Sequence, residues 1–203
     1  MPRTILVTGA AGFVGTHLLE SLLSETPTPR VIGWKRPHPN TDEASHRVRK
    51  DASIEWHDID LLESKDVINA ITEVRPTEVF HCAGIASVAD SPENTARTLA
   101  VNVLGTRHLM QGLKQLNTNS RVLVPGSATV YRPKLGPLNE HDRVGPINPY
   151  GLSKLAQEIQ SRRFVSDKQQ IVSTRSFTHI GPGQSVAYAA SNFTHQIASI
   201  EVG

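Results

Sequence analysis

Only one cysteine, Cys82, occurs in the 203 residues. No disulfide can form within the chain, so a reducing, cytoplasmic setting is the expectation. Long apolar runs are missing as well: none approaches the roughly 20 residues a membrane-crossing helix needs. Arg3 followed by Ile5-Leu6-Val7 resembles the start of a signal peptide, but Thr8-Gly9 ends that run before the roughly 7–15 residues of an h-region. Charge of one sign is scarce. Lys and Arg number 21 against 19 Asp and Glu, and the net +2 gives no reason to expect a nucleic-acid or membrane partner. Metal-ligand spacing is absent too. His38, His46, His57, His81, His179 and His195 are scattered, with no helical H-x-x-x-H pair and no cysteine companion, so no metal site is expected. His81 sits in a strand pattern and reads as a packed, hydrogen-bonded residue.

What remains is a soluble, globular composition, 38% hydrophobic and 20% charged, with an alternating pattern. Apolar, β-branched runs fall at 4–8, 30–34, 54–57, 78–82, 121–125 and 171–175. Helical periodicities lie between them at 14–23, 64–74, 96–116 and 150–164, with one more at 187–200. Short apolar strands alternating with helices predict an α/β fold, a doubly wound parallel sheet covered on both faces. Residues 37–51 and 132–149 are the expected open loops.

The stretch "TGAAGFVG" spends three glycines, Gly9, Gly12 and Gly15, between the first strand and first helix. In a doubly wound sheet this turn receives a cofactor pyrophosphate on the helix N-terminus, where unpaired N–H groups and the dipole favour an anion. Gly9 would allow the sharp exit from the strand, Gly12 the approach of phosphate, and Gly15 close helix packing. The spacing is G-x-x-G-x-x-G rather than the commoner G-x-G-x-x-G, and its place after a strand and before a helix supports dinucleotide binding. Phe13 and Val14 belong to the same turn. Farther on, "YGLSK" puts Tyr150 and Lys154 on one helix face. A phenol titrating near pH 10 needs a nearby cation to work as an acid–base group, and Lys154 would supply it. Ser127, ending the fifth strand, could hydrogen-bond a substrate oxygen. Taken alone, Tyr-x-x-x-Lys reads as an ordinary amphipathic helix with an exposed lysine, because the pattern is common.

The glycine triplet, "FHCAG", Asn102 in "VNVLGT", "GSATVY", "NPYGLSK" and "RSFTHIGPGQ" occur in one order along the chain. In that order and near those spacings the chain resembles the extended short-chain dehydrogenases/reductases, the NAD(P)-dependent nucleotide-sugar epimerase/dehydratase family. It is most similar to the branch containing GDP-mannose 4,6-dehydratase and GDP-4-keto-6-deoxymannose reductase. The resemblance implies a Rossmann domain over residues 1–176, with 177–203 beginning a substrate-binding region that would be cut short here. It implies Tyr150 as general acid/base, Lys154 assisting it and holding the nicotinamide ribose, and Ser127 orienting the sugar. Asp60 and Leu61 would border the adenine, and Cys82, Ala83, Gly84 and Asn102 would line the cofactor. Ser87, Thr129, Arg175 and Thr178 would face the nucleotide sugar. For Asp60 and Arg175 a structural reading stays open: a helix cap for the first, an ion pair for the second.

Three details narrow the expectation. The second strand ends "VIGWKRP", with Lys35 and Arg36 where an NAD site usually has an acid, which favours NADP, with NAD the alternative. Ala128 and Thr129 stand where the family's dehydratases carry an acidic pair, which disfavours dehydration. Thr178 and Arg132 depart from the residues usual at those positions. The expected activity is therefore 4-keto reduction of a nucleotide-linked hexose such as a GDP-mannose derivative. A 4-epimerase or dehydratase of the same family and a non-catalytic dinucleotide-binding module remain alternatives. A homodimer through a four-helix bundle of the helices at 96–116 and 150–164 is implied as well.

Overall fold

The computed structural model describes residues 3–37, 52–86 and 93–202. Ser87, His38, His46 and nearly all of the 37–51 loop lie outside those residues.

Six strands form one parallel sheet: β1 (Thr4–Thr8), β2 (Arg30–Lys35), β3 (Ile54–Asp58), β4 (Glu78–His81), β5 (Ser120–Pro125) and β6 (Gln169–Thr174). Their spatial order is β3-β2-β1-β4-β5-β6, every neighbouring pair parallel. The chain thus winds outward from β1 to β3, then returns to pair β4 on the other side of β1. Between β1 and β4 the winding direction reverses, and the crevice at their C-terminal ends is where such sheets receive ligands.

All five residues of β1 are buried, which is why its sequence is a continuous apolar run flanked by threonines. Alternate residues serve opposite faces. Leu6, Ile32 and Trp34 pack with Val67 and Ile71 of helix α2 (Ser64–Val74), and with Leu109, Met110 and Leu113 of helix α4 (Thr106–Leu116). Ile5, Val7 and Val31 pack instead with Leu19 and Leu22 of helix α1 (Phe13–Leu23). The expected doubly wound α/β fold is the observed one.

Helix α5 (Pro149–Arg162) starts where Asn148 accepts a hydrogen bond from the Gly151 N–H at 2.7 Å, and Pro149 needs no donor at that position. The expected helix at 96–116 is present with one departure. Helix α3 (Thr95–Leu99) runs into a π-helical segment, Ala100–Gly105, before α4 begins. Periodicity could not reveal this, because one extra residue per turn leaves the apolar pattern on either side intact. The segment buries Asn102 and Gly105.

After β6 the character changes. Helix α6 (Ala189–Val202) has no buried residue, and Phe193 and Ile200 are 64% and 80% exposed. Its preceding turn nonetheless touches the sheet domain: His17 of α1 hydrogen-bonds the Pro182 carbonyl at 2.9 Å. Among the described residues no helix is long and apolar enough to cross a membrane.

The turn after β1 has almost no spare volume. Gly9 has φ +65°, and a Cβ there would lie 2.6 Å from the Ala83 nitrogen. A Cβ on Gly15 would lie 2.3 Å from the Gly9 oxygen. We therefore expect Gly9→Ala and Gly15→Ala each to lower unfolding free energy by about 2–4 kcal/mol. Gly136 is also left-handed, at φ +86°, but nothing stands within 4 Å of its Cβ position. Gly136→Ala should cost only about 1 kcal/mol. Urea denaturation of the three variants measures the difference, and equal losses would remove this account of the turn.

Candidate active site

The glycine turn is built by contact with the far side of the crevice. Gly12 is the N-cap of α1 and carries no side-chain cap, and no acid stands in the helix's first turn. The helix N-terminus is thus left without a negative partner of its own, as an anion site requires. Gly9 packs on Ala83 and Cys82 from the exit of β4. Phe13 sits edge-on to His17 at 5.2 Å, and Val14 is exposed beside it.

Asn102, fully buried, ties this exit to α5. Its Oδ1 accepts from the Ile85 N–H at 2.8 Å, while its Nδ2 donates to the Ile85 carbonyl and to Ser153 Oγ at 2.9 Å. Ser153 in turn donates to the Tyr150 carbonyl at 2.7 Å. One carboxamide thus holds the wall of the crevice against the helix that carries Tyr150 and Lys154. The π-helical segment presents it.

Tyr150 and Lys154 are 9% and 8% exposed. Burial raises the Tyr150 hydroxyl above its usual pKa, and the hydrogen bond with Ser127 pulls it partly back. The net direction opposes the expected lowering by Lys154. The Lys154 ammonium points elsewhere, donating to the Pro125 carbonyl at 2.8 Å and to Gln157 Oε1 at 2.7 Å. Burial brings Lys154 down to about 8. Ser127 caps the short 3₁₀ turn Ala128–Val130, accepting from the Thr129 N–H, and its Oγ lies 2.8 Å from Thr129 Oγ1. Ser127, Thr129 and Tyr150 therefore gather at the C-terminal end of β5. Burial also pushes the Cys82 thiol up to about 11, so it is no nucleophile at neutral pH.

The remaining candidates divide. Asp60 accepts from the Leu62 N–H at 2.9 Å in a tight turn, while the N-cap of α2 is Glu63. Leu61 is buried against Gly105. Lys35 pairs with Asp58 at 2.6 Å because the parallel register sets β2 and β3 ends side by side. An acid does reach this strand end, from the neighbouring strand. Arg36 is exposed. Arg175 holds the nearly buried Glu158 bidentately, Nε at 3.0 Å and Nη2 at 2.9 Å, and lies 4.9 Å over the Tyr131 ring. Thr178 is exposed on the loop beyond β6, and Ser87 lies outside the described residues.

Comparison with known proteins gives the family. The sequence model of the NAD dependent epimerase/dehydratase family matches residues 5–203. The chain belongs to that family. A GDP-6-deoxy-D-mannose reductase of Pseudomonas aeruginosa is 32% identical over all of this chain and 61% of its own length. A bifunctional UDP-glucose and UDP-xylose 4-epimerase of Arabidopsis thaliana is 32% identical over 90% of this chain and 54% of its own. Among solved structures, the Bacillus cereus UDP-glucuronic acid 4-epimerase, in complex with UDP-glucuronic acid and NAD, superposes with a TM-score of 0.84. It is 27% identical, over 96% of this chain and 63% of its own. The chain thus spans roughly three-fifths of the length of these relatives.

For this epimerase/dehydratase-family chain, sequence reasoning missed the buried polar face of α5. Ser153, Gln157, Glu158 and Ser161 of α5 are all buried. The signal was a helix whose core-facing positions are polar, the reverse of ordinary amphipathic patterning. His81 was legible as a packed residue, and it is: Nδ1 lies 2.7 Å from Thr8 Oγ1 and Nε2 2.9 Å from Thr106 Oγ1.

Burial holds the folded His81 imidazole down at about 3, whereas the unfolded one titrates near 6.5. Between those values the unfolded chain binds the extra proton, so stability is complete above 6.5 and drains away as pH falls toward 3. His81→Gln should lose about 1–3 kcal/mol at pH 7 through broken hydrogen bonds. It should also weaken less than the parent on acidification. Urea midpoints at neutral and mildly acid pH give both quantities, and parallel acid losses would refute the assignment.

Proposed function

We propose that this chain binds a nicotinamide dinucleotide, preferentially the 2′-phosphorylated form, and catalyses hydride transfer to the 4-keto carbon of a nucleotide-linked hexose. The observation that carries the reading is the meeting of Ser127, Thr129 and Tyr150 at the end of β5, where Lys154 bonds the Pro125 carbonyl, in a sheet whose first turn presents an uncapped helix N-terminus. The turn fits the cofactor: Gly9 and Gly15 let the backbone close tightly against Ala83 and Ala10, and the N-terminus of α1 that it presents carries no side-chain cap and no acid in its first turn. Lys154, beside Gly84, would hold the nicotinamide ribose, and Asp60 with Leu61 would border the adenine; Asn102, expected to line the cofactor, is fully buried with its carboxamide committed to Ile85 and Ser153, and so braces the wall instead. Bound there, the dinucleotide supplies or accepts the hydride.

The residues of the chain do the rest. Ser127 and Thr129 hydrogen-bond the sugar oxygen and hold the carbonyl against the Tyr150 hydroxyl. Tyr150 donates its proton to the oxygen that gains negative charge as the carbon is reduced. The Lys154 ammonium lowers the cost of the phenolate left behind. With Ala128 and Thr129 in place of carboxylates, no group abstracts the proton that elimination of water requires.

The 4-epimerase reading uses the same residues with the hydride passed out and back, and similarity to UDP-sugar 4-epimerases favours it. The Lys35–Asp58 pair bears on it too, because an acid at this edge suits an unphosphorylated ribose. Residues 177–203, with Thr178, would begin the sugar-facing wall, and Arg175 would brace it through Glu158. Self-association would use the exposed Leu104, Leu152 and Ile159 of the helices after β4 and β5.

Incubation with NADPH and GDP- or UDP-4-keto-hexoses, followed by absorbance of the reduced cofactor, tests the activity. Consumption of NADPH supports reduction. Interconversion of UDP-hexoses without net consumption supports epimerisation in its place. Tyr150→Phe should slow turnover about 100-fold or more with cofactor affinity nearly intact. Undiminished turnover would refute its role. NADPH should bind about tenfold more tightly than NADH through Arg36, and Arg36→Ala should abolish that preference. Calorimetric titration checks this, and equal affinities in the parent chain, or tighter NADH binding, would refute the preference for the 2′-phosphate.

A further inference from the structure

The Lys154 ammonium is one end of a chain of hydrogen bonds that crosses the interior to the cofactor turn. Lys154 Nζ donates to Gln157 Oε1 at 2.7 Å, and Gln157 Nε2 donates to Thr106 Oγ1 at 2.8 Å. Thr106 donates its own proton to the Asn102 carbonyl at 2.7 Å. His81 Nε2 is then left to donate to Thr106, at 2.9 Å. With Nε2 protonated and the ring neutral, His81 Nδ1 must accept, and Thr8 Oγ1 donates to it at 2.7 Å. Thr8 Oγ1 accepts from the Ala83 N–H at 3.2 Å. Every donor and acceptor has one consistent role. The side chains come from β1, β4, α4 and α5, and Thr8, His81, Thr106 and Gln157 are each at most 1% exposed.

The direction of the whole chain decides which end of the Gln157 carboxamide faces Lys154. Thr106 has given its proton to Asn102 and can only accept from Gln157, so the amide nitrogen turns to Thr106 and the oxygen to Lys154. A flipped carboxamide would set two donors against each other in a buried site. Gln157 therefore offers the ammonium a directed acceptor without adding a charge. With the Pro125 carbonyl it takes two of the three Lys154 protons. Among the described residues the third has no hydrogen-bond partner, and the Cβ position of Gly84 lies 4.0 Å from Nζ. Among the described residues the titratable group that acts on Lys154 is Cys82, at the exit of β4, and Lys154 in turn acts on His81 of β4.

We infer that Gln157 is a positioning residue for Lys154. Its carboxamide, oriented by Thr106 and through it by His81 and Thr8, fixes where the ammonium points and keeps it proton-carrying beside the cofactor turn. The inference rests on reading Lys154 as the lysine that serves Tyr150.

The test uses this chain labelled with ¹³C-lysine and ¹⁵N-histidine, with Lys154 assigned from a Lys154→Met variant. His81 should give the neutral Nε2–H tautomer from mildly acid to mildly alkaline pH. The Nδ1–H form would reverse the chain of donors and overturn the inference. In Gln157→Glu the Lys154 titration midpoint should rise by about 1–3 units, because a carboxylate replaces a neutral acceptor. In Gln157→Leu it should fall by about one unit, since the charged form loses a directed hydrogen bond. Midpoints that stay at the parent value in Gln157→Glu overturn the inference, and the glutamate variant decides alone if the leucine variant does not fold. Calorimetric titration of NADPH against Lys154→Met separates the two readings. Unchanged cofactor affinity there refutes the role given to Lys154, while the Gln157 shifts report on positioning independently.

Discussion

Where the turn after β1 meets the exit of β4 the two backbones touch, with no volume for even one β-carbon between Gly9 and Ala83. That contact lies where the winding of the sheet reverses, and the rest of the molecule is arranged around it. It brings the uncapped N-terminus of α1 to the crevice, aligns Ala83 N–H with Thr8, and lets the His81 ring bridge from β1 to α4. A larger residue at position 9 would separate the strands at the place where they must stay joined. The glycines thus serve packing first; a ligand uses the space that the packing leaves.

Around this contact the interior is unusual in being polar. A buried network of Thr8, His81, Asn102, Thr106, Ser153 and Gln157 replaces aliphatic packing between the sheet and α5. Such groups cost free energy unless each is satisfied, and here each one is. The return is direction. Aliphatic contacts would hold α5 in place but would not choose where an ammonium or a phenol points. The π-helical segment belongs to the same arrangement, since it brings Asn102 to the wall of the crevice.

Electrostatics elsewhere is settled by neighbours that are remote in sequence. Glu158, nearly buried, is made tolerable by Arg175 from the far end of β6 and by Arg162 one turn along its own helix. Lys35 finds Asp58 through strand register. Both ion pairs alter the reading of residues that otherwise look free to meet a ligand. Each is a structural partnership, and it bears on how much charge remains for phosphate or sugar.

The amino-acid sequence by itself determined the parallel, doubly wound sheet, because strands buried on both faces must be short continuous apolar runs separated by helical periods. It also determined the glycine turn, a helix over 150–164 and the sharing of one face of it by Tyr150 and Lys154. All of these are local relations, a few residues apart. Only the tertiary structure decided the direction of the Lys154 ammonium and the partners of His81, Lys35 and Arg175. It also decided the balance at Tyr150, where burial outweighs the helping hydrogen bond. Those outcomes depend on register, crossing elements and desolvation, which no window along the chain contains. A side chain's type is written in the sequence, but its proton affinity and its direction are properties of what folds against it.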